Sequence, residues 1–284
     1  MSGPVVLSYL QARTLAQGRQ AGQTSVLASP DLGLSTVEVR LQKDRAVFPD
    51  GQWLSWEEVE AVGNDESVCY LVGAEGIEKI QRFSEFLNRV YGLMPTRGAP
   101  TLLVSGIPMH RIKNTDPHRD TLSKIRAVRP LAGQVLDTCT GLGYTAIEAA
   151  KETAVEQVVT IELDPTVLEV ARLNPWSRPL FENPKARQIV GDAFEEIEAF
   201  EEGQYSHIVH DPPMFSLAGE LYSGEFYRHL YRVLARKGRL FHYVGDPDSR
   251  SGRNVTRGVV RRLQEAGFRR IVRKPQTFGL VAYK

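Results

Sequence analysis

The chain of 284 residues has little cysteine, no long hydrophobic run and almost no net charge. Its two cysteines, Cys69 and Cys139, have neither the spacing of a metal site nor the density of a disulfide-stabilised domain, so we expect no metal and a reducing, cytoplasmic location. No run of 18 apolar residues occurs, so we expect no membrane span. The first twenty residues lack the basic-then-apolar order of a secretory signal.

The near-zero net charge conceals an uneven distribution. Residues 250–274 contain nine Lys or Arg and one Glu, a net charge of +8, which leaves −7 for the rest of the chain. A local excess of this size can create a positive field that suits a polyanionic partner. The alternative is a solvated helix face followed by an edge strand, and the segment alone favours neither interpretation.

Turn-forming residues at 95–100 divide the chain into a module over residues 1–100 and a larger domain over residues 101–284. The module is expected to be a small α+β unit without a catalytic motif. In chain order its patterns predict a helix at 5–17, a strand at 36–41, a hairpin turn at Asp50-Gly51, a helix capped by Ser55 and Glu58 that ends at 62, a strand at 68–72, and a segment at 81–91 compatible with helix or strand.

From about residue 120, short apolar runs alternate with helical patterns. This alternation predicts an α/β fold with a doubly wound, Rossmann-like sheet that is mostly parallel. The last two strands follow each other without a helix, so the final strand is expected to be antiparallel. Ligands of such sheets bind beyond the carboxyl ends of the strands, where the strand order reverses. The predicted strands are 134–136, 157–161, 187–190, 207–209, 240–244, 270–272 and 279–283.

An acidic residue and two glycines follow the first predicted strand. Asp137 ends the strand, and Gly141 and Gly143 come within the next six residues. Glycine removes side chains where the chain turns sharply, so a ligand can approach the backbone and the helix that begins there. A carboxylate at this position favours a cationic ligand over a phosphate. No Gly-Lys-Ser/Thr follows, so a nucleoside triphosphate loop is not expected.

Acidic residues also end the second and third predicted strands. Glu162 is placed to accept hydrogen bonds from both hydroxyls of a ribose. Asp192 is placed to accept one from an adenine amino group, with Leu163 and Phe194 as apolar walls, although it suits a helix N-cap equally well. Three acids at three successive strand ends, beside one glycine-rich turn, together favour a binding site.

A rigid acidic turn follows the fourth predicted strand, at Asp211-Pro212-Pro213. The two prolines lack an N–H and fix their own φ, so the turn presents the Asp211 carboxylate with few competing donors. Such acceptors suit a group with two N–H bonds and can direct its nitrogen lone pair at an electrophilic methyl group. We expect Asp211, Pro212, Pro213 and Phe215 to form the catalytic set.

From about residue 105 to 284 the chain resembles class I S-adenosylmethionine-dependent methyltransferases. Residues 137–143 are similar to their cofactor loop, although Cys139 stands where many members have glycine. The resemblance implies S-adenosyl-L-methionine as cofactor, with Asp137, Glu162 and Asp192 near its methionine, ribose and adenine parts. The predicted cofactor-binding set is Asp137, Thr138, Gly141, Gly143, Tyr144, Glu162, Leu163, Asp192, Ala193 and Phe194.

The acidic turn resembles the Asp/Asn-Pro-Pro-aromatic signature of amino-methyltransferases acting on bases, with the aromatic residue displaced by one to Phe215. In overall order the chain is also similar, nearly end to end, to a family of predicted archaeal-type RNA methyltransferases. These resemblances imply methylation of an exocyclic amino nitrogen of a base in structured RNA, ribosomal or transfer. A folded RNA needs a phosphate-binding surface, which residues 250–274 could supply. No feature indicates an oligomeric state.

Other functions fit parts of the same pattern. The run from Asp211 to Pro247 also resembles spermidine-synthase-like aminopropyltransferases, although the chain lacks their glycine-dense first loop and their acidic diamine pocket signature. A small-molecule N-methyltransferase and an inactive, cofactor-binding RNA-binding subunit are further alternatives. The polar segment before the first strand suggests a lid over the cofactor. Its possible contacts are Thr115, Asp120, Thr121 and Lys124.

Overall fold

The computed structural model describes residues 4–246 and 248–284. The chain divides into two compact units, one of Met1–His118 with Thr166–Arg178 and the other of Arg119–Pro165 with Pro179–Lys284. Across the described residues, no helix has both the length and the apolar character that crossing a membrane requires.

Three small antiparallel sheets and two helices occupy residues 6–108 of the first unit. In chain order the elements are β1 (Val6–Leu7), α1 (Tyr9–Gln20), β2 (Ser25–Ala28), β3 (Val37–Leu41), β4 (Arg45–Val47), β5 (Trp53–Ser55), α2 (Trp56–Asn64), β6 (Tyr70–Gly73), β7 (Gly76–Lys79), β8 (Gln81–Ser84), β9 (Arg89–Met94), β10 (Thr101–Val104) and β11 (Ile107–Pro108). The sheets have the orders β1-β6-β7, β2-β3-β4-β5 and β11-β10-β9-β8. Leu7, Leu15, Phe48, Leu54 and Val62 are fully buried in one apolar core.

Local capping and pairing decide where the predicted elements of this unit begin. The predicted helix at 5–17 is wrong at its start, because Ser8 and Gln11 form a capping box and α1 begins only at Tyr9. The apolar residues before the cap pair with β6 as a short strand instead. The capping box of Ser55 and Glu58 is confirmed at α2. The ambiguous segment 81–91 forms the antiparallel pair of β8 and β9.

The remaining elements alternate between helix and strand. They are α3 (Pro117–Val128), β12 (Gly133–Asp137), α4 (Tyr144–Ala150), β13 (Val155–Glu162), α5 (Pro165–Leu173), α6 (Arg178–Glu182), β14 (Ala186–Val190), α7 (Ala193–Glu196), β15 (Tyr205–His210), α8 (Gly224–Val233), β16 (Leu234–Tyr243), α9 (Arg250–Glu265), β17 (Arg270–Lys274) and β18 (Gly279–Tyr283). The seven strands form one sheet in the order β14-β13-β12-β15-β16-β18-β17. β18 runs opposite to the other six strands of this sheet, so the predicted fold class is confirmed.

The strand order reverses around β12. This strand pairs with β13 on one side and β15 on the other, with Asp137 opposite Thr160 and Val209. Glu162 and Asp211 each lie two residues beyond those partners. The carboxyl ends of the three central parallel strands therefore bring Asp137, Glu162 and Asp211 to one edge of the sheet, where ligands of doubly wound folds bind.

Candidate active site

The loop between β12 and α4 is tightly packed at one glycine and open at another. Gly141 and Gly143 have φ values of +52° and +76°, a region that favours glycine. A Cβ at Gly143 would lie 2.6 Å from the Cδ2 atom of Leu180, whereas a Cβ at Gly141 would meet nothing within 4 Å. Tyr144, the first residue of α4, is buried. The loop is thus fixed at Gly143 and accessible at Gly141.

Asp137 is buried next to this loop, and its carboxyl group is hydrogen-bonded within the protein. The hydroxyl of Thr145 donates to Oδ1 at 3.0 Å, and that of Thr160 donates to Oδ2 at 2.7 Å. Burial raises the pKa of Asp137 to about 8, even though both hydrogen bonds favour the charged form. Asp137 therefore joins α4 to β13 and is largely protonated at neutral pH. Its predicted direct contact with a cofactor stays a prediction.

Glu162 lies across the same loop. Its Oε2 atom accepts from the backbone N–H of Gly141 at 2.8 Å, and its Oε1 atom accepts from that of Asp164 at 3.2 Å. Burial raises the pKa of Glu162 to about 7, against the effect of these hydrogen bonds. The neighbouring Leu163 side chain is 40% exposed. The predicted ribose acid and its apolar neighbour thus flank the open side of the loop.

Asp192 is the N-cap of α7. Its Oδ1 atom accepts from the backbone N–H of Phe194 at 2.8 Å, as the capping interpretation predicts. Ala193 is buried, and the ring of Phe194 stacks on Phe226 with centroids 5.8 Å apart and meets His229 edge-on at 5.9 Å. Phe194 therefore packs against α8. The adenine contacts predicted for these residues stay predictions.

The two prolines of the turn after β15 have different surroundings. Pro212 is buried, while the carbonyl oxygen of Pro213 accepts a hydrogen bond from the Tyr222 hydroxyl at 3.0 Å. Met214 and Phe215 are 46% and 50% exposed, and the Phe215 ring meets Tyr222 edge-on at 5.4 Å. The turn is anchored by Tyr222 and exposes two large apolar side chains beside Asp211.

The Asp211 carboxylate is paired with a buried ammonium. Lys124 Nζ on α3 lies 2.7 Å from Asp211 Oδ2 and 2.9 Å from Asp120 Oδ2. It also lies 4.6 Å from the ring centroid of Tyr243. Burial alone would lower the pKa of Lys124, but Asp211 and Asp120 raise it above its ordinary value, so the ammonium stays charged. Burial raises the pKa of Asp211, and Lys124 opposes that rise.

Two residues of the expected lid, Asp120 and Lys124, take part in this ion-pair group, and the lid's contact with a cofactor stays a prediction. Asp120, Thr121 and Lys124 are buried residues of α3, between 2% and 3% exposed. The spacing of Asp120 and Lys124, four residues apart, signals an ion pair on a helix. Nothing local indicates Asp211 as a second partner, because it lies 87 residues from Lys124.

Buried histidines lie beneath the loop and the turn, and sequence reasoning missed them. His210 Nε2 donates to the Leu221 carbonyl oxygen at 3.0 Å, so its Nδ1 atom accepts from the Thr138 hydroxyl at 2.6 Å. Burial lowers the pKa of His210 to about 3, so the ring is neutral. The His242 ring lies 4.4 Å away and bonds the Tyr227 hydroxyl at 2.7 Å. A histidine beside the apolar residues Ile208 and Val209 of β15, and another beside Leu240 and Phe241 of β16, is the signal that could have revealed them.

These contacts define what the sheet edge can bind. Asp137, Glu162 and Asp211 place three carboxyl groups there, and the described residues provide one ammonium, Lys124, in contact with them. The space beside Gly141 and the exposed Leu163 side chain can accept an apolar ring system. The residues present thus fit a nucleoside that carries positive charge, such as a sulfonium.

Comparison with known proteins relates this region to polyamine synthesis. Residues 131–251 match the spermine/spermidine synthase domain. Polyamine aminopropyltransferase 2 of Streptomyces coelicolor is 34% identical over 39% of this chain and 21% of its own length. A spermidine synthase in complex with the transition state analogue AdoDATO has the same fold, with a TM-score of 0.61 and 20% identity over 72% of both chains. The chain thus spans about a fifth of the Streptomyces relative.

These findings correct the expectation of RNA methylation. The methyltransferase-like fold is confirmed, but the prediction that the chain methylates a base in ribosomal or transfer RNA is wrong. The domain match and the relatives that carry a named activity are those of aminopropyltransferases. The Asp-Pro-Pro turn misled the prediction because a carboxylate that suits an amine does not specify which group is transferred to that amine.

One relative covers nearly the entire chain. The uncharacterized protein MJ1233 of Methanocaldococcus jannaschii is 38% identical over 286 aligned positions, which include 99% of this chain and 96% of the relative. The similarity includes residues 1–118 of the first unit, which lie outside the synthase match of residues 131–251. The chain therefore belongs to the family of MJ1233.

Proposed function

We propose that this protein is an aminopropyltransferase that moves the 3-aminopropyl group of decarboxylated S-adenosylmethionine to an amine. The observation that carries the proposal is the synthase match over residues 131–251, which contains every predicted site residue from Asp137 to Phe215. The charges at the sheet edge support it. Decarboxylation removes the donor's only carboxylate and leaves a dication, which suits an edge rich in carboxyl groups.

Glu162 and Asp192 would hold the nucleoside of the donor. Glu162 already accepts hydrogen bonds from Gly141 and Asp164, which fix its carboxylate so that the remaining lone pairs can accept from ribose hydroxyls. Leu163 would contact the adenine ring from its exposed position. Asp137 would act from the protein interior, since both of its carboxyl oxygens already accept hydrogen bonds, from the hydroxyls of Thr145 and Thr160.

Asp211 would hold the acceptor amine. Its Oδ2 atom is engaged by Lys124, and within the described part of the chain Oδ1 has no hydrogen-bond partner. An amine donating to Oδ1 would have its lone pair directed away from the carboxylate, toward the reacting carbon. As the nitrogen–carbon bond forms, the carbon–sulfur bond breaks, its electron pair stays on sulfur, and the amine loses one proton to solvent or to Asp211.

The proposal is tested by incubating the protein with aminopropyl-labelled decarboxylated S-adenosylmethionine and a panel of diamines and polyamines, followed by chromatography of the amines. Label is expected in a longer polyamine, together with release of methylthioadenosine. The Asp211→Asn variant keeps the side-chain shape but removes the charge, and we expect at least a hundredfold lower kcat. Glu201→Gln changes an exposed carboxylate elsewhere on the same unit and should leave the rate unchanged.

A parallel reaction uses S-adenosylmethionine with its methyl group labelled. Methyl transfer to an amine or to RNA, with no aminopropyl transfer from the decarboxylated donor, would overturn the proposal. Full activity of Asp211→Asn with the decarboxylated donor would leave aminopropyl transfer standing but would remove Asp211 from the mechanism.

A further inference from the structure

A buried carboxylate, Asp120, and a partly exposed one, Asp211, share one ammonium at the proposed acceptor position. Lys124 Nζ lies 2.9 Å from Asp120 and 2.7 Å from Asp211, while its side chain is only 3% exposed. The Asp211 side chain is 18% exposed, so this carboxylate is the member of the group that solvent or a substrate can reach. The three side chains together carry a formal charge of −1.

Two further groups contact the buried ammonium of Lys124. The ring of Tyr243 packs against Nζ with its centroid 4.6 Å away, and Asp120 lies on the same helix as Lys124. Because the Lys124 side chain is only 3% exposed, we expect it to affect an acceptor through the charge of Asp211 and not by direct contact.

Nucleophilic attack requires the acceptor amine without its extra proton. A carboxylate in a poorly solvated site favours the protonated, unreactive form of an amine that it binds. Two uncompensated carboxylates would strengthen this effect, whereas a compensated carboxylate would still accept a hydrogen bond from the amine. The charge balance around Asp211 therefore controls the pH at which a bound amine becomes reactive.

Resting on the aminopropyl transfer proposed above, we propose that Lys124 is a positioning residue that partly neutralises Asp211, so that the acceptor amine binds there and becomes uncharged near neutral pH. Lys124 and Asp120 lie outside the synthase match of residues 131–251. The pairing is thus a feature added by α3 to the matched region.

The other ionisable groups around Asp211 do not supply this compensation. Asp137 on β12, whose pKa lies at about 8, is mostly protonated at pH 7, and burial raises the pKa values of Cys139 and Tyr222. On β15 and β16, burial lowers the pKa values of His210 and His242, so both imidazoles are neutral. The Tyr243 ring lies 4.6 Å from Lys124 Nζ. Of the groups that act electrostatically on Asp211, Lys124 is the cation.

Two substitutions change the charge of this group in opposite directions. Lys124→Met leaves two carboxylates uncompensated, so the bound amine should stay protonated to higher pH. Asp120→Asn leaves one carboxylate and one ammonium, so the bound amine should lose its proton at lower pH. The measurement is the pH profile of kcat, which reports ionisation in the enzyme–substrate complex. We expect the rising limb to move up by at least one pH unit in Lys124→Met and down by half a unit or more in Asp120→Asn.

Opposite shifts separate a charge effect from a structural one. The inference is overturned if both variants lose rate while the rising limb of the pH profile of kcat stays in place, or if this limb moves in the same direction in both variants. In either case aminopropyl transfer by the wild-type protein still stands. If Lys124→Met fails to fold, as judged by circular dichroism, the direction of the Asp120→Asn shift decides alone. If the wild-type protein transfers no aminopropyl group, the proposed function fails and this inference fails with it.

Discussion

The buried carboxyl group of Asp137 should make the stability of the second unit depend on pH. Its pKa is 3.8 in its ordinary state and about 8 in the folded protein. Because the folded-state pKa is the higher one, the contribution of Asp137 to stability is fully present below pH 4 and is lost as pH rises toward 8. Between these values the folded protein holds one more proton than the unfolded chain.

The magnitude follows from this one proton. A difference of one bound proton changes the free energy of unfolding by about 1.4 kcal/mol per pH unit. Between pH 5 and pH 7 the contribution of Asp137 should therefore fall by about 3 kcal/mol. Asp137→Asn keeps the shape of the side chain and can still bond Thr145 and Thr160 if their hydroxyls rotate, but it does not titrate.

The assay is urea unfolding of the wild-type protein and Asp137→Asn at pH 5, 6 and 7. Subtracting one free energy of unfolding from the other removes the groups that titrate alike in both proteins. All three tryptophans, Trp53, Trp56 and Trp176, belong to the first unit, so fluorescence follows that unit and circular dichroism must follow the second. A difference that stays constant within about 0.5 kcal/mol across this range would refute the reasoning.

Two further predictions concern the glycine loop and the basic helix. Gly143→Ala should destabilise the second unit by about 3 kcal/mol, since it adds a clash with Leu180 to the cost of a left-handed backbone. The control Gly22→Ala, at φ +70° with nothing within 4 Å of the added Cβ, should cost only about 1 kcal/mol. Equal losses in the free energy of unfolding, measured in urea, would contradict the packing argument. The RNA partner stays a prediction, and it concerns Arg257 and Arg261, which are exposed one turn apart on α9. Each should add about one to the slope of the logarithm of the binding constant for unmodified tRNA against the logarithm of the salt concentration, as measured by fluorescence anisotropy. An unchanged slope after both are replaced by Gln would contradict this prediction.

The parallel sheet could be predicted because its strands have little freedom in composition. Leu136, Val159 and Ile208 are at most 2% exposed, and strands buried on both faces must be apolar throughout. Glycines at the turn and acids at the strand ends then place the site at the carboxyl edge. The site's location therefore follows from local patterns that the sequence displays directly.

The pairing of Lys124 with Asp211 and the identity of the transferred group could not be predicted in the same way. The pairing joins residues 87 positions apart, and no local pattern specifies such a contact. The Asp-Pro-Pro turn indicates that an amine is held beside a carboxylate, but a methyl and an aminopropyl donor present the same sulfonium to it. The difference lies in groups that the turn does not contact.

The order of the last strands has a consequence for synthesis of the chain. β17 precedes β18 in the sequence, yet β18 alone joins it to the sheet. On the ribosome, residues 270–274 therefore emerge before the strand that they need, and the edge of β16 stays unpaired until residues 279–283 follow. That edge includes the fully buried Leu240 and Phe241. Until β18 docks, the chain thus exposes an apolar open strand at β16, and this stage of folding carries a risk of aggregation.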